Sequence, residues 1–173
     1  MVSEEAVREV LRTINDPEMP ISIVDLGIID HIAIEKSVAG AECPGGSLVK
    51  IDVLPTFVGC AALPMIESMI RQKLAQLAGV ASVEVRFKYS PAWTVDRISP
   101  AGREALRHFG VTVPHLRPML SDEPLETPAC PFCGSDNVEL ESSFGPTRCR
   151  MIYHCLSCKN PFEHLKRLNL PVC

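Results

Sequence analysis

The stretch LVKIDVLPTFVGCAALPMIESMIRQKLAQLAGVASVEVRFK, residues 48–88, decides the fold. Its opening alternates, with Val49, Ile51 and Val53 apolar and Lys50 and Asp52 charged, the period of a half-buried strand. Beyond Pro55 the period changes. Leu63, Ile66, Ile70, Leu74 and Leu77 fall on one helical face, Glu67, Arg71, Gln72 and Gln76 stay wet, and Gly79 is placed to end the helix. SVEVRFK then returns to alternation, with Val83, Val85 and Phe87 inward. A strand, helix and strand of this length predict a right-handed parallel crossover.

Working outward, Ser3 can cap a first helix whose early turn carries Glu4 and Glu5 at the positive end of the dipole. Ala6, Val7, Val10, Leu11 and Ile14 make its apolar face. Pro17 and Pro20 stop that helix, Gly27 permits a turn, and residues 28–36 read as a strand. Downstream, Ser99 and Pro100 look like the N-cap and first position of a helix ending near Gly110. The expected order is α-β-β-α-β-α, a small α+β domain over residues 1–110. Pro114, Pro118, Pro124 and Pro128 make 111–128 an expected extended linker, and 129–173 a separate module with its tail.

The chain has 173 residues, 46% of them hydrophobic, enough for one full domain plus a smaller one. Only 5% are aromatic, so the core is aliphatic. The N-terminus has acids where a secretory signal needs basic residues, and Pro55, Gly59 and Pro64 interrupt the most apolar run. A cytoplasmic protein without a membrane partner is expected. Eight cysteines in that setting suggest metal or thiol chemistry before disulfides.

Four of those cysteines form two C-x2-C pairs, Cys130/Cys133 and Cys155/Cys158, with 21 residues between them. Two thiolates at that spacing turn onto one cation, and two such knuckles complete a tetrahedral site. The intervening chain reads as a hairpin around Gly145-Pro146. This is a zinc-ribbon layout with a structural zinc, an iron site with the same sulfurs being the alternative. Cys149 lies too far along the strand to share the metal and is expected as a packed thiol; Cys43 and Cys173 are expected at the surface. Residues 129–173 carry five Lys/Arg against four Asp/Glu, while the whole chain is at −4. Without a basic track, no nucleic-acid partner is expected, and Phe144 and Tyr153 are expected to fill the ribbon. A ribbon binding nucleic acid or the transcription machinery is the alternative function.

Cys60 follows a strand and opens a helix, where unpaired N–H groups and the dipole stabilise a thiolate. Its apolar neighbours Phe57, Val58, Ala61, Ala62 and Leu63 equally suit a core thiol. A thiol enzyme would need a base, for which His31 is the one neighbouring-strand possibility. Asp16, Glu18 and Asp25 lie in a proline-punctuated loop where turn duty is also open to them, Asp16 through an Asx-turn.

DPEMPISIVDLGII (residues 16–29) followed by Thr56-x3-Cys60 resembles the iron–sulfur cluster assembly domain family, the SufT-like proteins. LPTFVGCAALPMIE, SPAWT and the cysteine module together resemble the PaaD family of bacterial phenylacetyl-CoA epoxidase systems. The resemblance implies an assembly-family α+β domain joined to a zinc ribbon. It further implies a non-catalytic accessory role in aerobic phenylacetate catabolism, beside oxygenase and reductase subunits. Cys60, Thr56, Asp16, Glu18 and Asp25 would then hold a transient iron or iron–sulfur cluster, and a homodimer could supply a second sulfur.

Overall fold

The computed structural model describes residues 2–36, 46–114 and 127–167. The chain forms two compact units, Met1–Trp93 and Thr94–Cys173. Cys43, Cys173 and the 115–126 part of the expected linker lie outside the described residues.

The first unit contains α1 (Glu4–Arg12), β1 (Ile29–Lys36), β2 (Ser47–Val53), α2 (Leu63–Ala75) and β3 (Val80–Phe87). Ser3 Oγ accepts from the Ala6 N–H at 3.2 Å, capping α1 as its position suggested. The sheet order is β1-β2-β3, with β1 antiparallel and β3 parallel to β2. The parallel partner is the crossover read from residues 48–88. Ile66, Ile70 and Leu74 are buried on α2, each worth about 1.5–3 kcal/mol of removed apolar surface. Gly79, at φ +89°, ends the crossover in the left-handed region.

One side chain departs from the alternation. The period puts Asp52 on the wet side with Lys50, yet its side chain is only 3% exposed. It lies opposite Arg86 on β3, accepts from Arg86 Nε at 3.0 Å, and meets Lys88 Nζ at 2.7 Å. Burial raises the Asp52 pKa, but the Lys88 hydrogen bond and the Arg86 charge outweigh it, so the carboxyl sits below its usual range.

The second unit contains a 3₁₀ turn (Val95–Arg97), α3 (Pro100–His108), β4 (Val111–Thr112), β5 (Val138–Ser142), β6 (Arg150–Cys155) and β7 (Pro161–Leu165). Ser99 Oγ caps α3 by accepting from the Gly102 N–H at 2.9 Å. The sheet order is β4-β7-β6-β5, antiparallel except for the parallel β4–β7 pair. The division at Trp93 and Thr94 differs from the expected boundary at residue 110. The physical reason is β4: the start of the supposed linker is a strand hydrogen-bonded to β7, and α3 leads directly into it.

Asp52→Asn should lower the stability of Met1–Trp93 by about 1–3 kcal/mol near neutral pH, read from Trp93 fluorescence in urea. Because the folded pKa is depressed, Asp52 contributes above its unfolded value of about 3.9 and stops contributing as pH falls through the folded value. The wild-type and variant stabilities should therefore converge in acid; a gap independent of pH would assign the loss to something other than this charge.

Candidate functional site

Among the described residues one place gathers metal-ligating side chains, and the turn expected to hold Cys60 is a second place to compare with it. In the second unit, the Sγ atoms of Cys130, Cys133, Cys155 and Cys158 all lie within 4.8 Å of one another. Cys130 Sγ is 3.6 Å from Cys158 Sγ, and Cys133 Sγ is 3.6 Å from Cys155 Sγ. A disulfide requires about 2.05 Å. A tetrahedron with zinc–sulfur bonds of about 2.3 Å has edges of about 3.8 Å. The donor set therefore fits a structural zinc, with every corner filled by protein.

The local chain prepares these sulfurs for a cation. The Gly134 N–H donates to the Cys130 carbonyl at 2.9 Å, with Gly134 at φ +73°, closing the first knuckle. Lys159, at φ +63°, closes the second by donating its N–H to the Cys155 carbonyl at 2.9 Å. The Asn160 N–H, with its side-chain amide 3.5 Å away, holds the Cys158 thiol down to about 6. The Cys158 N–H, 3.5 Å from Cys155 Sγ, likewise lowers Cys155. At Cys133 the Ser135 N–H lowers the thiol, but desolvation and the three neighbouring sulfurs outweigh it and push it up to about 12. Four thiols this close cannot all ionise unaided; a dication supplies the missing charge.

Cys149 is buried with its Sγ 3.1 Å from Thr147 Oγ1, outside the four-sulfur group. Tyr153 is a filler as expected, stacked on Phe162 at 5.7 Å between centroids. Phe144 is not: it is 71% exposed, with Lys166 Nζ 4.5 Å from its ring centre.

The second place is the turn between β2 and α2. Cys60 is half-buried there, three residues ahead of Leu63. Its N–H donates to the Phe57 carbonyl at 3.2 Å, and its own carbonyl accepts from the Leu63 N–H at 3.4 Å. Thr56 is half-buried in the same turn. Asp16 is buried and makes the Asx-turn: Oδ1 accepts from the N–H groups of Glu18 (2.8 Å) and Met19 (3.0 Å). Asp25 and Ser22 brace each other, Ser22 Oγ donating to Asp25 Oδ2 at 2.8 Å and accepting from the Asp25 N–H at 2.9 Å. Glu18 is half-buried. Among the described residues, the four ribbon sulfurs are the group of three or more such donors drawn close together; Cys60, Asp16, Glu18 and Asp25 do not form a second. His31 is exposed on β1.

The anchor of the DLG loop carries no signal in the sequence. The Trp93 indole N–H, from the SPAWT segment, donates to the Leu26 carbonyl at 3.0 Å, and both residues are buried. A lone buried tryptophan normally seeks such a partner, but residue order does not name it.

Comparison with known proteins finds matches in both units. A family model described as the PaaD zinc beta ribbon domain matches residues 118–166, and one described as iron–sulfur cluster assembly protein matches 4–86. The chain is 34% identical over 157 residues to an Escherichia coli protein named as the D component of a putative 1,2-phenylacetyl-CoA epoxidase, covering 90% of this chain and 88% of that one. The chain belongs to the PaaD family. More distant relatives match the first unit. They include Fe-S protein maturation auxiliary factors of Porphyromonas gingivalis (30% identity, 62% of this chain, 91% of that protein) and Bacillus subtilis (30%, 60% and 96%). The similarity of this PaaD-family chain is thus to accessory factors of iron–sulfur maturation, and its ribbon carries the structural zinc site. Among the described residues, no helix is long and apolar enough to cross a membrane.

Elemental analysis should find about one zinc per chain, and Cys133→Ser should lose it together with the near-native ribbon fold. A Cys133→Ser protein that keeps both would defeat the assignment.

Proposed function

We propose that this protein is an accessory maturation subunit of a ring-epoxidising phenylacetyl-CoA oxygenase system, acting in aerobic phenylacetate degradation. It serves the assembly of an iron–sulfur or di-iron centre in that system and does not itself catalyse epoxidation. Its partners are the oxygenase and reductase subunits, and its site of action is cytoplasmic. The observation that carries the reading is the position of Cys60: a half-buried thiol in the β2–α2 turn, inside the stretch that matches iron–sulfur assembly proteins and apart from the zinc site.

Cys60 is the ligand for the cargo, an iron ion or cluster in transit. A turn ahead of the α2 N-terminus favours its thiolate, since the dipole and the first N–H groups of the helix present positive charge. Thr56 shares that turn, and Asp16, Glu18 and Asp25, on the loop that Trp93 anchors, are the oxygen donors to be drawn in when cargo binds, since they form no close group with Cys60 in the described residues. A cargo site of this kind gains from being incomplete. One thiolate with carboxylates binds iron less firmly than four sulfurs do, so the cargo can leave. A second copy of the chain can lend another sulfur during transfer.

The oxygenase components should be co-expressed with this protein carrying Cys60→Ala, and their iron and cluster occupancy measured alongside epoxidation. Occupancy and activity should both fall, while zinc content and Trp93 emission stay at wild-type values. Full occupancy with full activity would sink the maturation role of Cys60.

A further inference from the structure

The second unit contains more than a zinc ribbon. Its first part, Thr94–Pro114, comprises the 3₁₀ turn, α3 and β4, and this arm starts one residue after Trp93. Each zinc knuckle leads to an attachment of this arm. In the first knuckle, Phe132 stands between the ligands Cys130 and Cys133, so the direction of its ring follows from how those sulfurs are held. The tip of that ring lies over Gly110: a Cβ built there would come within 2.9 Å of Phe132 Cζ. Gly110 also sits at φ +85°, so both its backbone and its neighbour demand glycine.

The second knuckle runs from Cys158 through Asn160 into β7, and β7 is the strand on which β4 pairs. The Glu163 N–H donates to the Gly110 carbonyl at 3.0 Å. The Thr112 hydroxyl donates to the Glu163 carbonyl at 3.2 Å and lies 2.8 Å from Nδ1 of buried His164. Glu163 is in turn ion-paired with buried Arg150 on β6. Farther along, Arg167 reaches back to Asp96 at 3.2 Å. Arg103 closes the arm on itself, donating to the carbonyls of Val95 (2.6 Å) and Pro114 (2.9 Å).

Among the described residues, the ribbon these attachments depend on has a buried cluster of Cys130, Met151, Tyr153, Cys155 and Phe162, with partly buried Val138 and Cys158 packed against it. Two of the five are zinc ligands, so the metal and the core are one object, and a core this small does not hold its strands alone. We propose that the four-cysteine site is the clasp of the Thr94–Pro114 arm: zinc keeps α3 and β4 seated on the ribbon, and its loss releases them while Met1–Trp93 stays folded. The exposed side of α3, with Glu104, Arg107 and His108, is then displayed in one fixed orientation on the ribbon only in the zinc-bound protein.

Hydrogen exchange read by mass spectrometry on the full chain tests this, before and after zinc is stripped by a chelator and its removal verified. Amides of α3 and β4 should lose at least about a hundredfold in protection together with those of β6 and β7, while α2 and β2 keep theirs. Unchanged protection of α3 and β4 in zinc-free protein would overturn the proposal, as would equal loss throughout Met1–Trp93. Phe132→Ala separates the clasp from general unfolding, because it leaves all four sulfurs in place. This variant should retain its zinc and its β6 protection yet lose about tenfold in α3. Wild-type protection of α3, or equal losses in α3 and β6, would overturn the link through Phe132.

Discussion

β2 has hydrogen-bonded neighbours on both sides, antiparallel β1 and parallel β3, and the rest of Met1–Trp93 is arranged around that constraint. A parallel neighbour cannot be reached by a tight turn, so the chain must leave the sheet, cross it and return. α2 is that crossing, and on β2 Val49, Ile51 and Val53 are all fully buried. The segment carrying Cys60 is the nine-residue connection, residues 54–62, through which the chain leaves β2 and enters α2. The thiol is thus held by the same geometry that closes the core. Its conformation is restrained at both ends, by a strand that cannot slip register and a helix seated through Ile66, Ile70 and Leu74.

The polar face of the same strand shows what central placement does to a charge. Lys50 pairs with Glu35 on β1 at 2.7 Å and remains partly exposed. Asp52, two residues on, is enclosed and draws on both cations at the end of β3. Removing a carboxylate from water is costly unless partners replace the solvent, and here two half-exposed cations do so.

The second unit meets the opposite problem: too little apolar material instead of a demanding topology. The strands of its ribbon are short and the buried cluster among them is small in the described residues, so a metal centre takes the place of a larger ribbon core. The ribbon sulfurs form a closed set of four and suit a permanent ion. Among the described residues, Cys60 belongs to no second group of this kind.

Much of this is legible from residue order, and the failures are instructive. Helix caps at Ser3 and Ser99, the period change at Pro55 and the paired C-x2-C knuckles are local signals, each set by a few adjacent residues. They yield the αββαβα order and the zinc ligands. β7 and β4 escape recognition, since PFEHL and VT are too short to show a period and become strands only through the partners they find. The β4–β7 pairing moves the boundary from residue 110 to Trp93, and no local pattern encodes it. Asp52 is misjudged for the same reason: alternation tells which face a side chain takes, while its burial depends on what lies across the sheet. The sequence by itself determined the elements, the crossover and the metal-binding sulfurs, because spacing along one chain segment specifies them. Only the tertiary structure decided which unit owns α3, what anchors the DLG loop and that, among the described residues, Cys60, Asp16, Glu18 and Asp25 form no close group, because those depend on contacts between residues tens of positions apart.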